Sequence, residues 1–126
     1  MFDLYFKNYK IVEELALKLP FELTGAQKNV IRDICKDFKD LKRVNRLIQG
    51  DVGSGKTAVS AMIMMIALRN GYQTALMAPT EILARQHYNE LTKYFKDFGF
   101  KTELLVSGIS AKEKRRIYFE ILVIII

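Results

Sequence analysis

The sequence predicts an α/β fold on a parallel sheet, and three observations predict it. Helix-like and strand-like patterns alternate along the chain from residue 24 to residue 126. The strand-like runs are short, apolar and closed by turn signals, whereas the stretches between them keep helical periodicity. Three of the helical stretches open on a capping residue, Thr24, Thr80 or Ser110. Two of those caps have a partner at capping-box spacing, Gln27 or Glu113. Strands separated by helices are joined by crossovers, which makes the sheet parallel and the crossovers right-handed.

Taken in order, residues 1–19 show an amphipathic, helix-like pattern through Leu4, Ile11, Leu15 and Leu19 and end at Pro20. They read as a connector or a short packing helix. Thr24 with Gln27 starts the next helix, whose apolar face is Val30, Ile31, Ile34, Cys35, Phe38 and Leu41. The charged run 39–43 ends it. Residues 46–49 (Arg46-Leu47-Ile48-Gln49) are expected to form a short strand running into Gly50. A helix over 55–70 follows, stopped by Gly71. Val59, Met62, Ile63, Met64, Met65 and Ile66 make it apolar nearly all round, so it needs cover on most sides. Its methionines read as core filler. Part of its surface, and one sheet edge, are expected to stay exposed in a chain of this extent.

A second strand covers 74–78 and is closed by Pro79, after which Thr80 caps a helix reaching Phe98 and stopping at Gly99. A third strand spans 102–107. Ser110 with Glu113 begins the last helix, and the β-branched run 121–126 reads as a fourth strand. No repeat, low-complexity tract or flexible linker interrupts this order.

Composition bounds what such a domain can do. The chain has 126 residues, half of them hydrophobic, which is one domain's length with enough apolar material for a core. The single cysteine, Cys35, excludes a disulfide within the chain and a multi-cysteine metal site, and fits a reducing cytoplasm. Residues 1–10 alternate apolar and charged side chains, unlike a signal peptide. The longest apolar stretch, 58–68, includes Ser60 and is too short to cross a bilayer, so a soluble, cytoplasmic protein without a membrane partner is expected. The net charge is +6, from 20 basic and 14 acidic residues. Residues 85–116 hold eight Lys or Arg against four Asp or Glu. That permits an anionic partner such as nucleic acid and equally describes a solvated surface.

The most specific signal is Gly50-Asp51-Val52-Gly53-Ser54-Gly55-Lys56-Thr57, a full match to G-x-x-x-x-G-K-[ST]. Gly53 and Gly55 let the backbone curl until successive N–H groups converge on a phosphate. The following helix adds its positive end. Lys56 supplies a mobile positive charge for the β- and γ-phosphates, and the Thr57 hydroxyl is a hard oxygen ligand for Mg²⁺. Lys56 and Thr57 are therefore the candidate catalytic residues, and residues 50–57 the ATP-binding loop. A chance match at four fixed positions is expected in fewer than about 1% of chains this long, which favours the phosphate loop.

Three segments carry a family resemblance. Residues 19–27, residues 49–57 and Met77-Ala78-Pro79-Thr80-Glu81-Ile82-Leu83-Ala84-Arg85-Gln86-His87 resemble the RecG family of bacterial ATP-dependent DNA helicases, within helicase superfamily two. The resemblance spans roughly residues 18–120 and is most specific over 43–88. The related transcription-repair coupling translocases share the Gly-Asp-Val-Gly start but usually carry Phe where this chain has Ser54, and Thr where it has Glu81. The primosomal helicases are more distant.

The resemblance implies a P-loop, RecA-like three-layer fold around the parallel sheet, with ATP and Mg²⁺ as cofactors. It implies DNA as partner, branched or forked in this family, and work in recombination and repair. It places Gln27 on the glutamine that contacts adenine, although the capping-box partnership with Thr24 explains the same residue, and both can hold. It places Pro79, Thr80, Arg85 and Gln86 on the segment that touches the sugar-phosphate backbone, where Thr80 also reads as a plain N-cap and Arg85 as a solvated charge. His87 reads as packing. Ser107-Gly108 stands where the family usually has a Thr-Gly pair. The reading therefore expects residues 1–19 to be a connector and 20–126 the first part of a helicase ATP-binding lobe. That lobe is expected to be incomplete at its C-terminus, with the downstream half-lobe and second motor lobe missing. Such a chain is expected to bind nucleotide without unwinding DNA.

Overall fold

The computed structural model describes residues 13–14, 16–19, 22–40, 43–51, 55–120 and 123–125. Expectations for residues 1–12, Leu15, Pro20, Leu41 and the loop residues Val52, Gly53 and Ser54 lie outside that set. The chain divides into two compact units, residues 1–66 and 67–126, each described by itself.

In the first unit, α1 (Gly25–Lys39) begins where the capping signal puts it. Thr24 is extended, its Oγ1 accepts from Gln27 N at 3.2 Å, and Gln27 Oε1 accepts from Thr24 N at 2.8 Å. A cap of this kind stabilises a helix by about 1 kcal/mol. Ile31 and Ile34 form the buried face, and Lys36 and Lys39 sit in the last turn, where cations suit the helix's negative end. The second helix, α2 (Lys56–Arg69), begins in this unit and its last turn falls in the next.

Residues 43–50 between the helices adopt no regular structure, which corrects the expected strand over 46–49. A strand exists only with a ladder partner for its backbone groups, and none of the described strands pairs with this segment. Its own anchor is a side chain, for Arg46 Nε donates to Asp37 Oδ2 on α1.

The second correction concerns α2. Ala61, Met62, Met65, Ile66 and Leu68 are all buried, so this helix is not where apolar surface is left open. The most open apolar side chains among the described residues are instead Leu17, Leu47, Met77 and Ile82, at 86%, 84%, 79% and 80% exposure.

The second unit holds β1 (Thr74–Leu76), α3 (Glu81–Asp97), β2 (Thr102–Leu104), α4 (Ala111–Glu120) and β3 (Val123–Ile125). The strands pair in the order β1-β3-β2, all parallel, with Val123 opposite both Thr74 and Thr102. The β-branched sequence of β3 takes the central position, where apolar runs belong in a parallel sheet. β1 and β2 are shorter than the runs 74–78 and 102–107 that predict them.

Helix α3 packs against β2 and β3 through a face that includes Ala84, Leu91 and Phe95, all buried. Thr80 caps it, accepting from Leu83 N at 3.2 Å. Its C-terminal turn closes with Gly99 N on Lys96 O at 3.0 Å and Phe100 N on Phe95 O at 2.9 Å, the bond pair of a glycine-terminated helix. Ser110 caps α4, accepting from Glu113 N at 3.1 Å, and Ile117 of α4 packs with Leu105 and Ile109.

Candidate phosphate loop and strand cleft

The phosphate loop is held at both of its described ends. At its close, Gly55 has φ +81°, a left-handed conformation, and its carbonyl accepts from Gln27 Nε2 at 3.3 Å. A Cβ added at Gly55 would lie 2.0 Å from that Nε2, so any other side chain would push the Gln27 amide off its bond as well as strain the left-handed backbone. At its start, Lys56 Nζ donates to Gly50 O and, at 3.3 Å, to Asp51 O. The ammonium thus folds back across the loop and rests on two carbonyl oxygens, with the side chain open to solvent.

This arrangement suits an anion. Lys56 is the first residue of α2, whose first turn contains no acid, so nothing on the helix offsets its positive N-terminal end. A phosphate can replace the two carbonyls as the partner of Lys56 and gain a charge-assisted bond. Thr57, half-buried, follows Lys56 at the second position of α2. Gln27 fills its capping role and reaches Gly55 with the other end of the same amide. Of the predicted loop, Gly50, Asp51, Gly55, Lys56 and Thr57 are described.

A second site arises from the topology of the other unit. Because β1 and β2 both run parallel to β3, the segments leaving their C-terminal ends emerge at the same edge of the sheet. That edge is where open parallel sheets bind ligands. Pro79 and Thr80 after β1 and Ser107 after β2, 26 or more residues apart in sequence, line one cleft of about 380 Å³ together with Glu81 and Lys114. Glu81 accepts from Arg85 Nε at 3.0 Å and Nη2 at 2.7 Å on one oxygen, and from Ser107 Oγ at 3.2 Å on the other. Arg85 first, then Ser107, hold the Glu81 carboxyl below the usual carboxylate range.

The structure therefore brings Pro79, Thr80 and the Ser107 segment together. Arg85 reaches the cleft through Glu81, and Gln86 is exposed outside the cleft lining. His87 is half-buried, with Nδ1 enclosed. Glu81 and Lys114 are site residues the sequence reading misses. Glu81 stands four residues before Arg85, the orientation that favours a helical ion pair, and that spacing was the available signal. Lys114 had none beyond the surplus of basic residues.

Residues 24–126 match the profile of the DEAD/DEAH box helicases. The chain is similar to the ATP-dependent DNA helicase RecG of Aquifex aeolicus, 42% identical over 86% of this chain and 14% of that protein. It is 48% identical to RecG of Bacillus subtilis over 79% of the chain and 14% of that protein. With RecG of Staphylococcus aureus it shares 50% identity over 82% of the chain and 15% of that protein. The chain thus spans about one seventh of the length of these curated relatives.

Proposed function

This chain belongs to the DEAD/DEAH box helicase family, and we propose that it is an ATP-binding portion of a RecG-type DNA motor acting in recombination and repair. Membership carries a RecA-like α/β fold. We place the three described strands in a larger sheet with helices on both faces. Among the described residues no helix is long and apolar enough to cross a membrane, and the reading takes the cytoplasm as the place of action.

The observation that carries the proposal is the loop from Gly50 to Thr57, with its glycine fixed at 55 and its lysine poised at the start of α2. The residues fit a nucleotide with Mg²⁺. Lys56 would hold the β- and γ-phosphates in place of its two carbonyl partners, and backbone N–H groups of such a loop would donate to the β-phosphate. Thr57 offers its hydroxyl to Mg²⁺. Gln27 holds the loop's end through Gly55, and the RecG resemblance assigns it the adenine edge as well. When bound, ATP supplies the phosphoanhydride whose cleavage drives a motor.

At the other site, Pro79, Thr80, Arg85 and Gln86 meet the sugar-phosphate backbone of a DNA strand. Such contacts position a strand without reading its bases, so binding is indifferent to sequence and weakens with salt. A branched or forked substrate belongs to this reading as the form of DNA that the RecG resemblance implies.

Titration calorimetry with Mg²⁺-ADP tests the central claim. Lys56→Ala removes a charge-assisted contact of about 1.5–3 kcal/mol, so affinity is expected to fall at least about tenfold. Equal affinity for wild type and variant overturns the phosphate-loop assignment.

A further inference from the structure

Glu81 is the one acid among the residues that line the cleft. Both of its oxygens are occupied. Oε1 takes the Arg85 guanidinium through Nε and Nη2, and Oε2 takes the Ser107 hydroxyl from the opposite segment. A phosphodiester would seek the same donors, because a guanidinium fork fits a carboxylate and a phosphate alike. One fork cannot fully serve both, and a carboxylate left beside an arriving phosphate repels it. The Arg85 and Glu81 side chains are 55% and 45% exposed, so a partner arriving from solvent can reach the pair without unfolding α3.

We propose that Glu81 is a latch, an internal stand-in for a backbone phosphate that holds Arg85 and Ser107 until a phosphodiester strand displaces it. The inference rests on the reading of this cleft as a strand-binding surface. It adds a positioning residue that acts through Arg85 and Ser107 and works against binding. Strand capture then becomes an exchange of partners by Arg85. Glu81 is charged at neutral pH, since its neighbours hold its carboxyl below the ordinary range, so the latch is closed under working conditions.

The test is fluorescence anisotropy of a labelled mixed-sequence single strand with the full 126-residue chain, across about 50–200 mM salt. Glu81→Gln keeps the shape and removes the charge. It is expected to tighten binding by about threefold to tenfold at the low-salt end. It should also steepen the salt dependence by about 0.7 in log–log slope, the signature of one more phosphate engaged. Glu81→Ala should shift affinity in the same direction.

A readout without DNA accompanies this. The Arg85 Nε proton should exchange slowly with solvent in the wild type and fast in Glu81→Gln. Arg85→Ala separates the two layers of argument. If it leaves strand affinity unchanged, the strand-binding reading fails and the latch fails with it. If it weakens binding while Glu81→Gln is neutral or weaker, the latch alone is overturned. Tightening seen with inorganic phosphate but not with the oligonucleotide also overturns it, because the occupant is then a free anion.

Discussion

The side-chain amide of Gln27 joins the start of α1 to the end of the phosphate loop, accepting from Thr24 N at 2.8 Å and donating to Gly55 O at 3.3 Å. The two contacts use opposite ends of one planar group. A shift in the first turn of α1 is therefore passed to Gly55, whose φ of +81° leaves it little room to absorb the change with any other side chain.

These two contacts can be separated by substitution. Gln27→Glu retains the capping-box acceptor but cannot donate to Gly55, and it sets a carboxylate against a carbonyl. Thermal stability should hold to within about 0.5 kcal/mol. Mg²⁺-ADP affinity should fall by about 2–10-fold, the worth of one hydrogen bond. Gly55→Ala should lower both, with a strain of about 1–2 kcal/mol for a left-handed alanine plus the collision with Gln27. Calorimetry and thermal melts on both variants decide this, and an affinity that Gln27→Glu leaves intact would refute the coupling.

Cys35 should be chemically quiet. Burial raises its thiol pKa from 9.0 to about 11. At pH 8 the thiolate fraction is then about a hundredfold below that of an ordinary thiol, and alkylation slows in proportion. The fold favours the protonated thiol, so this group's contribution to stability is whole below pH 9 and is lost as pH rises toward 11. Iodoacetamide kinetics between pH 7 and pH 10, native against denatured, are the measurement. A native rate matching the denatured one would contradict the burial.

The exposed apolar side chains should dominate any tendency to associate. Leu47 and Ile82 stand 84% and 80% open, whereas the apolar residues of α2 are buried or half-buried. Leu47→Gln and Ile82→Gln should reduce binding of a dye for apolar surface while stability stays within about 0.5 kcal/mol. Unchanged dye binding in the double variant would move the hazard elsewhere in the chain.

Turnover is expected to lag far behind binding. Hydrolysis needs a group that orients water, acids near the metal and an arginine for the developing charge, the last alone worth about 10³–10⁵ in rate. The chain's only adjacent acids are Glu13-Glu14, in the N-terminal amphipathic pattern and far in sequence from the phosphate loop. Purified chain should therefore hydrolyse ATP slower than about once per second. Faster turnover that Lys56→Ala abolishes would disprove this.

What could be read from the sequence follows from where each property resides. Helix starts at Thr24, Thr80 and Ser110 were legible because a cap and its target N–H lie within three residues of one another. The stop at Gly99 was legible for the same local reason. The irregular course of 46–49 was not, because apolar residues confer only the capacity to pair, and pairing belongs to a neighbour. The phosphate loop was spelled out in one contiguous motif. The role of Glu81 was hidden because its second partner, Ser107, is 26 residues away, and only the parallel sheet brings the two together.

The place of β3 has a consequence for how the chain acquires its shape during synthesis. This strand is the last described along the chain and yet lies between the other two. Among the described strands, β1 and β2 have no ladder with each other and pair only through β3. These two ladders await residues 123–125, which supply a partner on each side at once. Assembly of the sheet is therefore a late, single event that closes long loops, the kind of step that is slow and open to wrong pairing between nascent chains.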